Sequence, residues 1–244
     1  MKKPIIVIDP GHGGSDPGAV SNGLREKDLT LKIAQRIGAY IGDRADVRYI
    51  RTTDKDLSTN KSKDLSARAA FANNLNADYY LSVHINAGGG TGFESFVYTG
   101  TDGGHTGAIR STIHKHVSAA FARRGLRDRG RKTGDLAVLR QTKMPAALLE
   151  YGFIDMATDA ALLKDDNFID EVAKATADGL AEAFGLPATP AATVPDAALE
   201  RALAKLHAAG VMDSPDFWAA NARAGGTVNG EYAALLIKRI ADIL

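Results

Sequence analysis

No cysteine occurs among the 244 residues. Its absence excludes disulfide staples, a cysteine-rich zinc site and a thiol nucleophile, and leaves the redox compartment open. No run approaches the roughly 18 apolar residues that cross a bilayer, so membrane insertion is not expected. Met1-Lys2-Lys3-Pro4 leads directly into a short apolar run, too brief for the core of a secretory signal. Neither sign of charge dominates: the formal net charge is +1, and bulk electrostatics do not point to nucleic acid. Aromatics are sparse, with a single tryptophan, Trp218.

What is present is enough apolar material, 45% of residues, for one sizeable α/β domain and a small second one. The organising stretch is 5–31. Ile5-Ile6-Val7-Ile8 reads as a buried strand, followed by the Gly-rich Asp9-Pro10-Gly11-His12-Gly13-Gly14. From Glu26, the spacing of Leu29, Ile33, Ile37 and Ile41 predicts a helix that Gly42-Asp43 closes. Further strands are expected at 47–52, 78–84 and 92–98, with short ones at 136–139 and 146–150. Helices are expected at 65–73, 107–124 and 168–184, and 53–63 reads as a polar loop. Strands alternate with helices, so the fold class is α/β: a mixed, mostly parallel twisted sheet flanked by helices.

Ligands of such sheets sit outside strand ends. His12, His84 and Glu150 each follow or end an expected strand, and Glu26 opens a helix. Two imidazoles and a carboxylate suit a catalytic zinc ion with one open position. His12, Glu26 and His84 are the candidate ligands, and Glu150, after four apolar residues, is the candidate base. Plainer alternatives stand beside each. His12 as a loop cap, His84 as a satisfied strand-end histidine, and Glu26 as a first-turn carboxylate with Asp28 as its rival all fit the pattern. Glu150 has the weakest alternative, because a buried carboxylate needs a partner.

Four separated motifs carry a family resemblance. They are residues 6–19 (IVIDPGHGGSDPGA), Glu26-Lys27-Asp28, residues 82–87 (SVHINA), and residues 145–154 (PAALLEYGFI). Together they resemble the zinc-dependent N-acetylmuramoyl-L-alanine amidases of the amidase-3 type, over about residues 4–186. The resemblance implies zinc held by His12, Glu26 and His84, with Glu150 as the catalytic glutamate. It also implies a peptidoglycan or muropeptide substrate, cut between N-acetylmuramic acid and L-alanine of the stem peptide. Two other readings stay open: a zinc carboxypeptidase or endopeptidase acting within the stem peptide, and an inactive wall-binding module. The missing signal suggests synthesis in the cytoplasm and action on the wall after phage lysis or export, as for an endolysin; a leader already removed is the alternative.

Other residues are placed more loosely. Asn86 and Arg140 are candidate substrate contacts. Glu94 either lines the cleft or faces solvent. The basic run 123–132 reads as a solvated loop, some of whose arginines reach the groove; a nucleic-acid patch is disfavoured without interleaved aromatics. His105, His114, His116 and His207 read as surface histidines. The domain expectation is a catalytic domain at 1–186, a Pro/Ala/Thr linker at 187–195 and a small all-helical domain at 196–244. The last carries leucine stripes (Leu199, Leu203, Leu206; Leu236, Ile237, Ile240, Leu244) and suits wall targeting or a homodimer through its helices.

Overall fold

A computed structural model describes residues 2–187 and 197–211 of the chain. The chain divides into two compact units, Met1–Thr189 and Pro190–Leu244. The first is a six-stranded mixed sheet between two helical layers.

The strands are β1 (Ile5–Pro10), β4 (Asp46–Tyr49), β5 (Tyr79–Asn86), β6 (Phe93–Tyr98), β7 (Asp128–Gly134) and β8 (Ala146–Phe153), in spatial order β4-β1-β5-β8-β6-β7. The first four in that order run parallel, while β6 is antiparallel to β8 and parallel to β7. A two-stranded hairpin of β2 (Val20–Ser21) and β3 (Leu24–Arg25) stands apart. The helices of this unit are α1 (Glu26–Ile41), α2 (Lys61–Asn74), α3 (His105–Arg123), α4 (Ala137–Gln141), α5 (Ala157–Leu163) and α6 (Asp166–Ala183). In the second unit, α7 spans Ala197–Ala208. Among the described residues no helix is long and apolar enough to cross a membrane.

Strand side chains alternate between faces, and the two faces bury different things. Ile6, Ile8, Leu81, Val83, Leu149 and Tyr151 join the large core under α1, α3 and α6. Val7, Tyr80, Ala146 and Leu148 join a smaller core with Ala72 of α2 and Val138 and Leu139 of α4. By the same alternation Asp9, Ser82, His84 and Glu150 belong to the second face. The thinner helical cover there leaves room for a cleft.

Three expected elements differ. Residues 136–139 form the start of α4 rather than a strand: four apolar residues carry too little periodicity to distinguish the two, and one turn brings Val138 and Leu139 onto the sheet. The basic run is not wholly loop, since residues 128–134 form β7. As an edge strand it tolerates charged side chains, and Lys132 sets its Nζ over the Phe96 ring, 5.7 Å from the centroid. The polar loop is shorter than expected, because Asn60 caps α2 by accepting from the Lys63 N–H at 3.0 Å. In the C-terminal segment α7 carries the Leu203 stripe; Trp218, the second stripe and the homodimer expectation lie outside the described residues, as does most of the linker.

Candidate metal centre

The site begins with a register. His84 of β5 lies opposite Glu150 of β8, and Glu150 lies opposite Glu94 of β6. Three ionisable side chains therefore stand side by side on one face of three strands. Glu150 is within β8 rather than at its end, and the strand runs on to Phe153. A bulge beyond it shifts the pairing to Asn86 with Phe153, at Gly152 with φ +91°.

His12 reaches the same place from the loop after β1. It adopts φ +62°, a left-handed conformation uncommon for a side chain with a Cβ. Its carbonyl accepts a hydrogen bond from Arg68 Nη2 at 2.8 Å, which holds the loop in that shape. Gly11 allows the close approach: a Cβ there would meet the His84 ring at 2.4 Å. Glu26 arrives as the first residue of α1. Its carboxylate accepts from the Ala19 N–H at 2.9 Å and the Ile85 N–H at 3.0 Å.

These three side chains converge. Glu26 Oε2 is 3.1 Å from His12 Nε2, and Glu26 Oε1 is 3.0 Å from His84 Nδ1. One ligand atom from each of the three lies within 4.8 Å of the others. His12 Nδ1 donates to Asp16 Oδ2 at 2.9 Å. That bond fixes the tautomer, so a neutral His12 turns the lone pair of Nε2 toward a carboxylate oxygen. Two acceptors at that distance attract only with a proton or a cation between them. Ligands at zinc distances are about 3.4 Å apart in a tetrahedral shell, so the donor set and its spacing fit zinc.

Charge follows from the same contacts. Burial by itself raises the Glu26 carboxyl, but the two imidazoles outweigh it and hold Glu26 well below the usual carboxylate range. Burial lowers His84, but Glu26, with Glu150 and Asp9 adding, more than compensates and leaves it raised. Glu150 differs: burial pushes its carboxyl up to about 7, with the neighbouring acids Glu26 and Glu94 adding and His84 opposing. Its Oε2 is buried and has no hydrogen-bond partner among the described residues.

His12, Glu26, His84, Asn86 and Glu150 all line one cleft of about 580 Å³. Leu136, Val138 and Leu148 give it an apolar wall, and Ser58, Thr59 and Lys61 a polar one. Asn86 Nδ2 donates to Glu94 Oε1 at 2.8 Å. The structure does not bring Arg140 there: it pairs with Asp135 and lines a separate hollow with Tyr98 and Thr101. Glu94 faces neither solvent nor open cleft. It is buried and accepts from Arg129 Nε and Lys132 Nζ, both at 2.6 Å. His114 is not a surface residue either; it is buried between Ser95 and Asp128.

Residue spacing missed the supports. Asp9 is buried and accepts from Arg68 Nη1 at 2.7 Å and the Tyr80 hydroxyl at 2.5 Å. An acid directly after a buried apolar run, and an arginine among helix alanines, were the available signals.

The profile of the N-acetylmuramoyl-L-alanine amidase family (Amidase_3) matches residues 6–182. The chain belongs to this family. It is 46% identical over 187 residues to the sporulation-specific N-acetylmuramoyl-L-alanine amidase of Bacillus subtilis (strain 168), covering 75% of this chain and 69% of that one. It is 39% identical over 214 residues to the endolysin of Bacillus phage SPP1, covering 87% and 78%. Among solved amidases of the family, the catalytic domain of CwlV from Bacillus (Paenibacillus) polymyxa var. colistinus superposes with a TM-score of 0.67 at 32% identity, over 75% of this chain and 99% of that domain.

Proposed function

We propose that this chain is a zinc-dependent peptidoglycan amidase. It would hydrolyse the amide between N-acetylmuramic acid and the L-alanine of the stem peptide. One observation carries the reading: His12, Glu26 and His84 converge on a single point in a cleft that also holds Glu150, a buried carboxyl with an unused oxygen.

His12, Glu26 and His84 would hold the ion, and Asp16 would orient His12. When bound, zinc supplies Lewis acidity, polarising a carbonyl and making water a better nucleophile near neutral pH. Glu150 accepts the proton of the attacking water and returns it to the departing alanyl nitrogen. Leu148 and Val138 on the cleft wall limit bulk water, which keeps the carboxyl basic enough for both transfers. Asn86 faces the same space as a substrate contact.

The organisation that supports this role is catalysis in residues 1–186 and wall targeting in residues 196–244, joined by residues 187–195. The likeness to the phage endolysin spans more residues than the catalytic part contains, so it reaches into the C-terminal unit. An endolysin role fits that span.

Digestion of defined muropeptides with and without a chelator, read by mass, tests the reading. Intact stem peptide with a free alanyl amine, released only without chelator, is the expected product. Shortened stem peptides would instead favour a zinc peptidase, and binding without products an inactive wall-binding module. Light scattering of full-length protein and residues 1–186 separates targeting from dimerisation.

A further inference from the structure

Two guanidiniums stand behind the site, and their contacts differ. Arg51 is fully buried, with 1% of its surface exposed. Its Nε donates to the Pro10 carbonyl at 3.0 Å and its Nη2 to the Gly11 carbonyl at 2.9 Å, on the loop that presents His12. The same Nη2 donates to the Lys27 carbonyl at 2.7 Å and to Thr30 Oγ1 at 3.0 Å, on the helix that begins with Glu26. Thr30 closes the circuit by donating to the Gly11 carbonyl at 2.8 Å. A single side chain thus fastens the segment carrying one candidate ligand to the segment carrying another.

Arg68 does not do this. It donates to the carbonyls of Pro10 and His12 and pairs with Asp9 and Asp64, all on one side of the junction. Among the described residues it makes no hydrogen bond to α1, and Arg51 forms no ion pair. Asp9, Asp54 and Asp28 act on Arg51 only through space, and a buried cation outside any direct ion pair is poorly suited to a purely stabilising role. Its planar fork is well suited to fixing several carbonyls at once, which a lysine ammonium matches badly. The loop is also shaped around the side chain. A Cβ at Gly13 would lie 2.9 Å from Arg51 Cδ and 2.2 Å from the Lys55 carbonyl, and Gly13 adopts φ +129°.

We propose that Arg51 is a positioning residue that sets the metal affinity of the His12–Glu26–His84 centre by tying the His12 loop to the first turn of α1. The proposal rests on the zinc reading above. Outer contacts of this kind typically change metal affinity 10–100-fold when removed.

The test uses full-length Arg51→Lys, Thr30→Val and Arg68→Lys proteins. Zinc affinity is measured by chelator competition, and amide hydrogen exchange is followed in the metal-free state. Arg51→Lys is expected to weaken zinc binding about 10–100-fold and to speed exchange in both 11–14 and 27–30. Excess zinc should restore kcat with KM unchanged. Thr30→Val should act in the same direction more weakly, and it carries the test alone if Arg51→Lys does not fold. Arg68→Lys should lower Tm with a smaller loss of zinc affinity. Wild-type zinc affinity in both Arg51→Lys and Thr30→Val would overturn the proposal. So would an equal loss in Arg68→Lys at matched Tm. A wild-type protein that takes up no zinc would overturn the zinc reading itself, while the exchange data would still decide whether Arg51 couples the two segments.

Discussion

Two histidine–carboxylate clusters among the described residues make an instructive pair, and only the first of the two lines the cleft that holds Glu150. In the first, His12, Glu26 and His84 meet beside Glu150. In the second, His114 Nδ1 is 2.7 Å from Ser95 Oγ and His114 Nε2 is 3.0 Å from Asp128 Oδ1. The second has the residue types of a hydrolase triad. Its hydrogen bonds, however, form a closed circuit: a neutral imidazole accepts from Ser95 and donates to Asp128, and Ser95 is fully buried. The first cluster leaves bonding capacity unused. A lone pair faces a carboxylate, and Glu150 Oε2 has no partner among the described residues. Unused capacity beside open space marks chemistry, while satisfied capacity within the core marks scaffold.

The sharpest way to break this comparison is to remove a candidate ligand. His84→Ala is expected to lose bound zinc and with it all measurable amide cleavage, read by metal analysis and muropeptide mass. Zinc retained at one ion per chain would show that His84 is not a ligand.

Next in size is Glu150→Gln, which keeps the shape and one oxygen but cannot take a proton. Its expected effect is a loss of about 10²–10⁴-fold in kcat with zinc content unchanged. A variant within a few-fold of wild type would move the base elsewhere.

Much of this contrast was legible in the residues. The strand-loop-helix of 5–31 and the family motifs placed His12, Glu26, His84 and Glu150 together, and strand–helix alternation predicted the sheet. The supports were not legible, because their partners are distant in sequence. Arg68 reaches back 59 residues to Asp9, and Arg51 reaches back 40 to Gly11. His114 was misread for the same reason, since its partners lie 19 and 14 residues away. Residues 136–139 were misassigned because a single apolar turn has no period to read.

Those supports give the third prediction. Burial raises the Asp9 carboxyl, but Arg68 and Tyr80 outweigh it and hold it below the usual range. Its stabilising contribution is therefore present above the unfolded carboxylate pKa, about 3.9, and disappears as pH falls through the lower folded value. Arg68→Met leaves a buried charge uncompensated and is expected to cost about 3–5 kcal/mol at pH 7. In the variant, burial prevails and the Asp9 pKa rises above its unfolded value, so acidification favours the fold. The difference in urea stability between the two proteins should then narrow from pH 7 toward pH 4. A constant difference would remove Asp9 as the partner that matters.

The smallest effect is expected in the closed cluster, where a triad would produce the largest. Ser95→Ala removes one hydroxyl that donates to His114 Nδ1 and leaves the Nε2–Asp128 bond in place. Leaving the buried ring nitrogen without its donor costs about 1–3 kcal/mol. For a domain of this size that shifts Tm by roughly 2–12 °C. Ser95 also lines none of the cleft that holds Glu150, so the rate of muropeptide cleavage per folded molecule should stay within about twofold of wild type. A collapse in rate with little change in Tm would make Ser95 a nucleophile and reverse the assignment of the two clusters.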